Sequence, residues 1–370
     1  MIFDRKKQRI TIHGVTYSSS EIKDKVALNQ FSDLEKHEEL YLAFVDLFNF
    51  LADWFSDSSS LILHTSGSTG KPKELTVSKD RMMQSARLTC EYLHLHVGDK
   101  ALLCMNLHYI GAKMVVVRAL VAELDLIVRH PSGHPLADVP DKLRFAAMVP
   151  LQVYQSFCSQ EETERLRRTE ILIIGGGSID AALESKIKEF PNEVYSTYGM
   201  TETLSHIALR RLNGPCASFH YHPFPSVSLS LSAENALVID APLICKEKLV
   251  TNDIAKLFSD GSFVILGRKD NIINSGGIKI QAEWVEQQLK PFISVPFVIT
   301  SIPDVCLGEA IVLLIAQITD DELADVRKKS VSLLSPYDRP KKYFRVDGIP
   351  LTDSGKVDRR ACRNLVAELQ

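Results

Sequence analysis

Apolar residues recur along the 370-residue chain in short blocks separated by longer, more polar stretches. Residues 61–63, 101–105, 145–149, 171–174 and 193–197 each form such a block, too short for a helix and bounded by turn-forming residues, and so read as strands. Between them, residues 80–96, 114–123 and 180–190 carry a helical pattern, the last closed by Pro191. Strands alternating with helices predict a largely parallel sheet with helices on its faces. Upstream, residues 9–17 read as strand, residues 35–55 as helix and the serine-rich stretch 56–60 as a loop. From 236 to 266 the pattern turns strand-rich. Gly267-Arg268-Lys269-Asp270 reads as a boundary. A smaller α+β segment follows, with helices expected over 282–289 and 321–334, and it ends in the turn-rich stretch 351–356. The fold class is therefore α/β. A large N-terminal domain over 1–268 has mixed or parallel sheets flanked by helices and a β-rich subdomain, and a small α+β C-terminal domain covers 269–370.

Composition narrows this little. Hydrophobic residues make up 45% of the chain, which is ordinary for a globular protein. A formal net charge of −3 gives no bulk attraction to nucleic acid or to an anionic membrane, and the basic group Arg339, Lys341, Lys342 around Pro340 reads as a solvated turn. The N-terminal residues lack an apolar core of signal-peptide length, and the run 114–122 is interrupted by Arg118, so a cytoplasmic protein without membrane insertion is expected. Seven cysteines are scattered without C-x-x-C spacing. The pairs His94-x-His96 and His220-x-His222 have no carboxylate or thiol cluster beside them, so neither a disulfide framework nor a zinc site is expected.

Chemistry enters at Thr65-Ser66-Gly67-Ser68-Thr69-Gly70-Lys71-Pro72-Lys73, which follows the strand at 61–63. Glycines let backbone N–H groups turn towards an anion, four hydroxyls add donors, and Lys71 and Lys73 add charge. The loop suits a polyphosphate but is not a Walker A loop. With Gly70-Lys71 as the G-K pair, Thr65 stands at the first glycine and Pro72 at the final hydroxyl residue. Alone, the stretch is also compatible with a flexible Ser/Gly linker. Gly175-Gly176-Gly177 after the strand at 171–174 would suit a dinucleotide loop, except that Asp180 stands where the third glycine is needed.

Residues 65–73 resemble the T-S-G-[ST]-T-G-x-P-K loop of the adenylate-forming superfamily of acyl-CoA synthetases, luciferases and peptide-synthetase adenylation domains. Four further boxes follow in family order. They are Tyr198-Gly199-Met200-Thr201-Glu202, Thr251-Asn252-Asp253, Gly267-Arg268-Lys269-Asp270 with Ser275-Gly276-Gly277, and Thr352-Asp353-Ser354-Gly355-Lys356. The resemblance covers about residues 60–360, and the part before the loop is shorter than usual. Within the superfamily the chain is most similar to the o-succinylbenzoate–CoA ligases of menaquinone biosynthesis. It is compact, the second box continues as Thr203-Leu204-Ser205-His206-Ile207, and the hinge region carries D-N, S-G-G and I-Q.

The resemblance implies an AMP-forming acid–thiol ligase that uses ATP, Mg²⁺ and coenzyme A. Thr65, Ser66, Gly67, Ser68, Thr69, Gly70 and Lys73 would cradle the ATP phosphates. Gly175, Gly176, Gly177 and Ser178 would pass close to adenine, and Ser196, Thr197, Tyr198 and Gly199 would line the nucleotide, with the Tyr198 ring against the base. Thr201 would bond the α-phosphate, Glu202 would hold the metal, and Asp253 with Arg268 would hold the ribose. Lys356 would bridge the carboxylate and α-phosphate in the transition state. Asp270 would be a hinge about which a mobile C-terminal domain rotates, bringing Ser275, Gly276 and Gly277 to the thiol path. His108 matches a histidine near the acyl site, where it would gate the pocket or contact the acid, though a structural histidine reads nearly as well. The acid, o-succinylbenzoate, has two carboxylates. One must be held while the other reacts, and Lys113, Arg118 and His206 are the candidates.

Glu74, Asn252 and Gln281 depart from the usual Gly, Gly and Pro at their positions, and none of these changes removes a reacting group. Other readings stay open. One is a CoA ligase for another aryl or acyl acid, or an adenylating enzyme that loads a carrier protein; one of another class is a non-catalytic nucleotide or acyl sensor. The presence of Lys356, Glu202 and Asp253 argues against the sensor, since binding alone does not need a transition-state lysine. The oligomeric state is not legible.

Overall fold

The computed structural model describes residues 5–28, 38–65, 73–139, 142–177, 179, 181–352 and 357–369. The chain forms two compact units. One is built on the residues up to Ile179 with Leu183–Ser228 and Asp240–Lys248, the other on Leu229–Ile239 and the chain from Leu249 onward.

In chain order the first unit contains β1 (Arg9–Ile12), β2 (Val15–Ser18), α1 (Ser19–Leu28), α2 (Glu38–Trp54), β3 (Ser60–Thr65), β4 (Lys73–Ser78), α3 (Lys79–Tyr92), β5 (Lys100–Leu103), α4 (Ile110–Ala122) and β6 (Asp125–Val128). It continues with β7 (Phe145–Met148), α5 (Pro150–Ser156), α6 (Gln160–Arg168), β8 (Ile171–Ile174), α7 (Ala181–Ile187), β9 (Glu193–Gly199), β10 (His206–Arg211) and β11 (His222–Pro223). Nine of these strands form one sheet in the order β11-β10-β9-β8-β7-β5-β6-β1-β2. The pairings from β9 across to β1 are parallel; those of β10 with β9, β11 with β10 and β2 with β1 are antiparallel.

All four residues of β7 and all four of β8 are buried, as expected of central strands covered on both faces. Ala146, Met148, Leu172 and Ile174 share one core with Val153 of α5, Leu166 of α6 and Leu183 and Ile187 of α7. The alternate residue Phe145 turns to the opposite face, where its ring lies 6.0 Å from the guanidinium carbon of Arg118 on α4.

Several boundaries differ from those expected. The stretch 9–17 is a hairpin, not one strand, turning at His13 and Gly14, both at positive φ. Helix α4 begins at Ile110, a turn before the predicted start at 114, because Gly111 does not interrupt it; Lys113 and Arg118 therefore sit on the same helix. The helix expected from residue 35 is described from Glu38, and residues 29–37 lie outside the described residues.

The second unit holds an antiparallel sheet in the order β12 (Ser228–Leu231), β13 (Ala236–Asp240), β14 (Leu249–Leu257), β15 (Phe263–Arg268). It then continues with β16 (Ile272–Ser275), β17 (Ile278–Gln281), α8 (Ala282–Leu289), β18 (Phe297–Asp304), β19 (Gly308–Ala316), α9 (Asp320–Leu333), β20 (Lys342–Val346) and α10 (Arg359–Glu368). Strands β16 to β20 form a five-stranded sheet. Along β19, Ile311, Leu313 and Ile315 pack towards α8 and α9, while Ala310, Val312 and Leu314 pack towards Cys362 and Val366 of α10. Helix α9 starts in a reciprocal cap. The Thr319 hydroxyl accepts from the Glu322 N–H, and the Glu322 carboxylate accepts from the Thr319 N–H at 2.9 Å.

Leu172, fully buried at the middle of the central sheet, tests the packing. Leu172→Ala is expected to destabilise the first unit by about 2–5 kcal/mol, read as a lowered urea midpoint. A loss below about 1 kcal/mol would contradict a close-packed core there.

Candidate active site

The carboxyl ends of parallel strands are where open α/β sheets bind ligands. At that edge the first unit assembles residues from β5, β8 and β9. Strand β9 pairs in register with β8 up to Ile174↔Ser196, so Thr197, Tyr198 and Gly199 run beyond the end of β8, beside Gly175-Gly176-Gly177. A Cβ on Gly175 would lie 2.3 Å from the Thr197 hydroxyl oxygen, so any other residue here would force that side chain to turn away. The Ser196 hydroxyl is 2.8 Å from the Tyr221 hydroxyl, and the Tyr198 and Tyr221 rings lie 5.9 Å apart, tilted at 56°. His108 is exposed in the loop after β5, where its N–H is bonded to the Asn106 side chain at 2.8 Å.

After Gly199 the chain makes one 3₁₀ turn, Thr201–Thr203, and returns as β10. A Cβ on Gly199 would stand 2.3 Å from the Ser205 carbonyl oxygen, which again demands glycine. The Thr203 hydroxyl holds the turn, accepting from the Met200 N–H at 2.9 Å and donating to the Ser205 carbonyl at 2.7 Å. The Cys245 thiol donates to the Glu202 carbonyl at 3.5 Å. The Glu202 residue is exposed, and its carboxylate has no partner among the described residues. It is a hard oxygen donor of the kind Mg²⁺ prefers.

Behind this turn lies a buried cation. Arg118 is 2% exposed. One of its terminal nitrogens donates to the Ser205 hydroxyl at 2.6 Å, and its buried Nε has no hydrogen-bond acceptor. No carboxylate among the described residues pairs with it. Burial pushes its pKa down to about 10, so it remains charged at neutral pH. Of the other candidates for holding a carboxylate, Lys113 lies five residues earlier on α4 and so points to a different side of the helix. Its pKa is lowered by burial, opposed by the charge of Asp53. His206 has both ring nitrogens engaged, by Thr89 at 3.1 Å and by Ser205 at 3.3 Å.

The second unit carries Asp253, Arg268 and Asp270. Asp253 on β14 pairs in register with Arg268 on β15, and the guanidinium donates to its carboxylate at 3.1 Å. The same guanidinium donates to Asp270 at 3.0 Å, and Asn252, the residue in place of the usual glycine, donates to Asp270 at 3.3 Å. Gly276 and Gly277, at φ +60° and +82°, form the two-residue turn of the β16–β17 hairpin, closed by the pair Ser275↔Ile278. Ser66, Gly67, Ser68, Thr69, Gly70, Ser178 and Lys356 lie outside the described residues; Thr65 and Lys73 are paired across β3 and β4 at either end of the loop. An open cleft of about 650 Å³ lined by Tyr92, Arg144, Glu170, Glu193 and Tyr195 lies at the amino ends of β7 to β9, the opposite edge of the sheet from Gly175 and Tyr198. Among the described residues no group of three or more His, Cys, Asp or Glu could hold a metal, and no helix is long and apolar enough to cross a membrane.

Tyr221, Ser205 and Thr89 were not singled out for these contacts by sequence. The only signal for Tyr221 was its place inside the His220-x-His222 pair, which reads first as a metal pattern.

Residues 6–242 match the family described as AMP-binding enzyme. A 2-succinylbenzoate–CoA ligase of Lactococcus lactis is 24% identical over 333 residues, covering 84% of this chain and 72% of the relative. An acyl-CoA synthetase (AMP-forming)/AMP-acid ligase II-like protein of Dyadobacter fermentans, known by crystal structure, is 31% identical with a TM-score of 0.61, covering 92% of this chain and 98% of its own. An O-succinylbenzoate coenzyme A synthetase of Bacillus subtilis, solved with ATP and magnesium, shares the fold at a TM-score of 0.70 and 16% identity, covering 95% of this chain and 96% of its own. With the match spanning most of the first unit and a relative 31% identical along nearly the whole chain, the protein belongs to the AMP-binding enzyme family, as an ATP-dependent, AMP-forming acid ligase.

Proposed function

We propose that this chain converts o-succinylbenzoate to its acyl-adenylate and then to the coenzyme A thioester. The observation that carries the choice of acid is Arg118. A buried guanidinium without a counter-ion costs several kcal/mol, and a site that keeps one is suited to a ligand that brings a carboxylate of its own. A diacid does so: one carboxylate would meet Arg118 while the other reacts. Relatives named for 2-succinylbenzoate support the same acid.

In the first step an oxygen of the reacting carboxylate forms a bond to the α-phosphorus of ATP. The bond from that phosphorus to the bridging oxygen breaks, and pyrophosphate leaves. The barrier is the charge gathered at phosphorus, so positioned donors and cations lower it. We assign phosphate binding to the loop from Thr65 to Lys73 and the α-phosphate to Thr201. Tyr198, with Tyr221 behind it and Gly175 to Gly177 beside it, forms the adenine wall, and Asp253 with Arg268 receives the ribose. Lys356 is assigned to the transition-state charge. Glu202 would hold Mg²⁺, whose charge would offset that of the phosphates. In the second step the thiol sulfur of coenzyme A bonds to the acyl carbon, the acyl–oxygen bond breaks, AMP leaves, and the thiol proton passes to solvent. We place the boundary between domains at 268/269, with Asp270 as hinge and Ser275 to Gly277 on the thiol side.

The assay is pyrophosphate release from ATP·Mg²⁺ with o-succinylbenzoate, simple benzoates, fatty acids and amino acids, each with and without coenzyme A. Turnover of the diacid, with thioester formed, is the expected result. Preference for a monoacid would overturn the substrate, and transfer only to a carrier protein would overturn the acceptor. Lys356→Ala is expected to slow adenylation by 10²-fold or more while thioester formation from supplied acyl-adenylate changes only a few-fold; equal losses in both would contradict the lysine's role. Arg118→Met should raise the KM for the diacid about 10²-fold, with the urea midpoint unchanged or raised, because an uncompensated buried charge is gone. A large loss of stability with unchanged KM would make Arg118 purely structural.

A further inference from the structure

Arg118, Ser205, His206, Thr89 and Ser85 form one continuous hydrogen-bond chain, and its direction can be deduced. Arginine only donates. The Ser205 oxygen accepts from it at 2.6 Å, so the hydroxyl hydrogen is available to another acceptor. The acceptor in reach is His206 Nδ1 at 3.3 Å. The ring must then carry its hydrogen on Nε2, which faces the Thr89 hydroxyl oxygen at 3.1 Å. Thr89 passes its own hydrogen to the Ser85 carbonyl at 3.3 Å. In the reverse direction Nδ1–H would point at Ser205, whose hydroxyl hydrogen would have no acceptor among the described residues. Burial and the nearby Arg118 charge both hold the His206 pKa well below its usual value, so the ring is neutral and one tautomer must be chosen.

We propose that Thr89 and His206 are positioning residues for acid recognition: they fix the Ser205 hydroxyl with a lone pair towards Arg118 and so hold the guanidinium in the orientation that receives the substrate's second carboxylate. The inference rests on the function proposed above. The parts are rigidly placed. Thr89 is fully buried on α3, Arg118 stands on α4, His206 opens β10 with Phe224 against its ring at 5.5 Å, and the Ser205 carbonyl closes the turn carrying Thr201 and Glu202. Thr89 lies 117 residues from His206 in sequence, so only the fold joins them.

The test combines a spectroscopic readout with kinetics on the full chain. Nitrogen-15 histidine spectra, with His206 identified by its loss in His206→Gln, should show a neutral ring protonated at Nε2 in the wild type. In Thr89→Val, which keeps the shape but removes the acceptor, that signature should be lost. The KM for o-succinylbenzoate should rise about tenfold, as expected for one lost buried hydrogen bond, with the KM for ATP within about twofold of wild type. Thr89→Ser should restore both. A ring protonated at Nδ1, an imidazolium that titrates at its ordinary pKa, or an unchanged spectrum in Thr89→Val would overturn the hydrogen-bond chain whatever acid the enzyme uses. With the chain present, an unchanged acid KM in Thr89→Val would overturn the positioning role. If the wild type does not turn over the diacid, the functional reading fails, and the positioning role falls with it while the tautomer result stands.

Discussion

A positive charge enclosed by protein must be answered by something, and in this fold the answer to Arg118 is one serine hydroxyl and an unpaired Nε. The guanidinium is fixed on three sides. Its own helix α4 carries it, Phe145 of the central sheet lies under it, and the turn between β9 and β10 meets it at Ser205. A well-packed apolar residue would cost less at such a place. The charge is kept where it meets the turn that also presents Thr201 and Glu202, so a diacid held by Arg118 would have its reacting group near the residues assigned to the α-phosphate and the metal.

The sheet supplies the rest of the geometry. Parallel strands β5, β8 and β9 end at one edge, and two glycines give the chain close approaches there. Gly175 clears the Thr197 hydroxyl and Gly199 clears the Ser205 carbonyl. In the second unit, Arg268 joins Asp253 to Asp270, and Asn252 adds a second donor to Asp270. These groups are partly solvent-exposed, so each contact is worth little alone. Together they set the conformation of the segment assigned as the hinge.

The parallel strands were legible in sequence because β7 and β8 are apolar at every position and too short to be helices. Gly175 and Gly199, which the structure places at close approaches, already stood out in sequence as members of short motifs. Helix α4 was read a turn late; Gly111 lies in its first turn, but a single glycine costs a helix only about 1 kcal/mol, and burial of Ala112, Met114 and Val115 outweighs it. The partners of Arg118 were not legible. Ser205 lies 87 residues away, and nothing in the local pattern distinguishes it from any other turn serine. The two hydrogen-bond partners of His206 likewise become visible only after folding.

The most direct test of the central claim compares o-succinylbenzoate with its two monomethyl esters in ATP–pyrophosphate exchange. One ester blocks the carboxylate that reacts and the other the carboxylate that Arg118 is said to hold, so both should fail while the free diacid exchanges. An ester that exchanges as well as the diacid would contradict the account, because Arg118 would then have no part in choosing the acid.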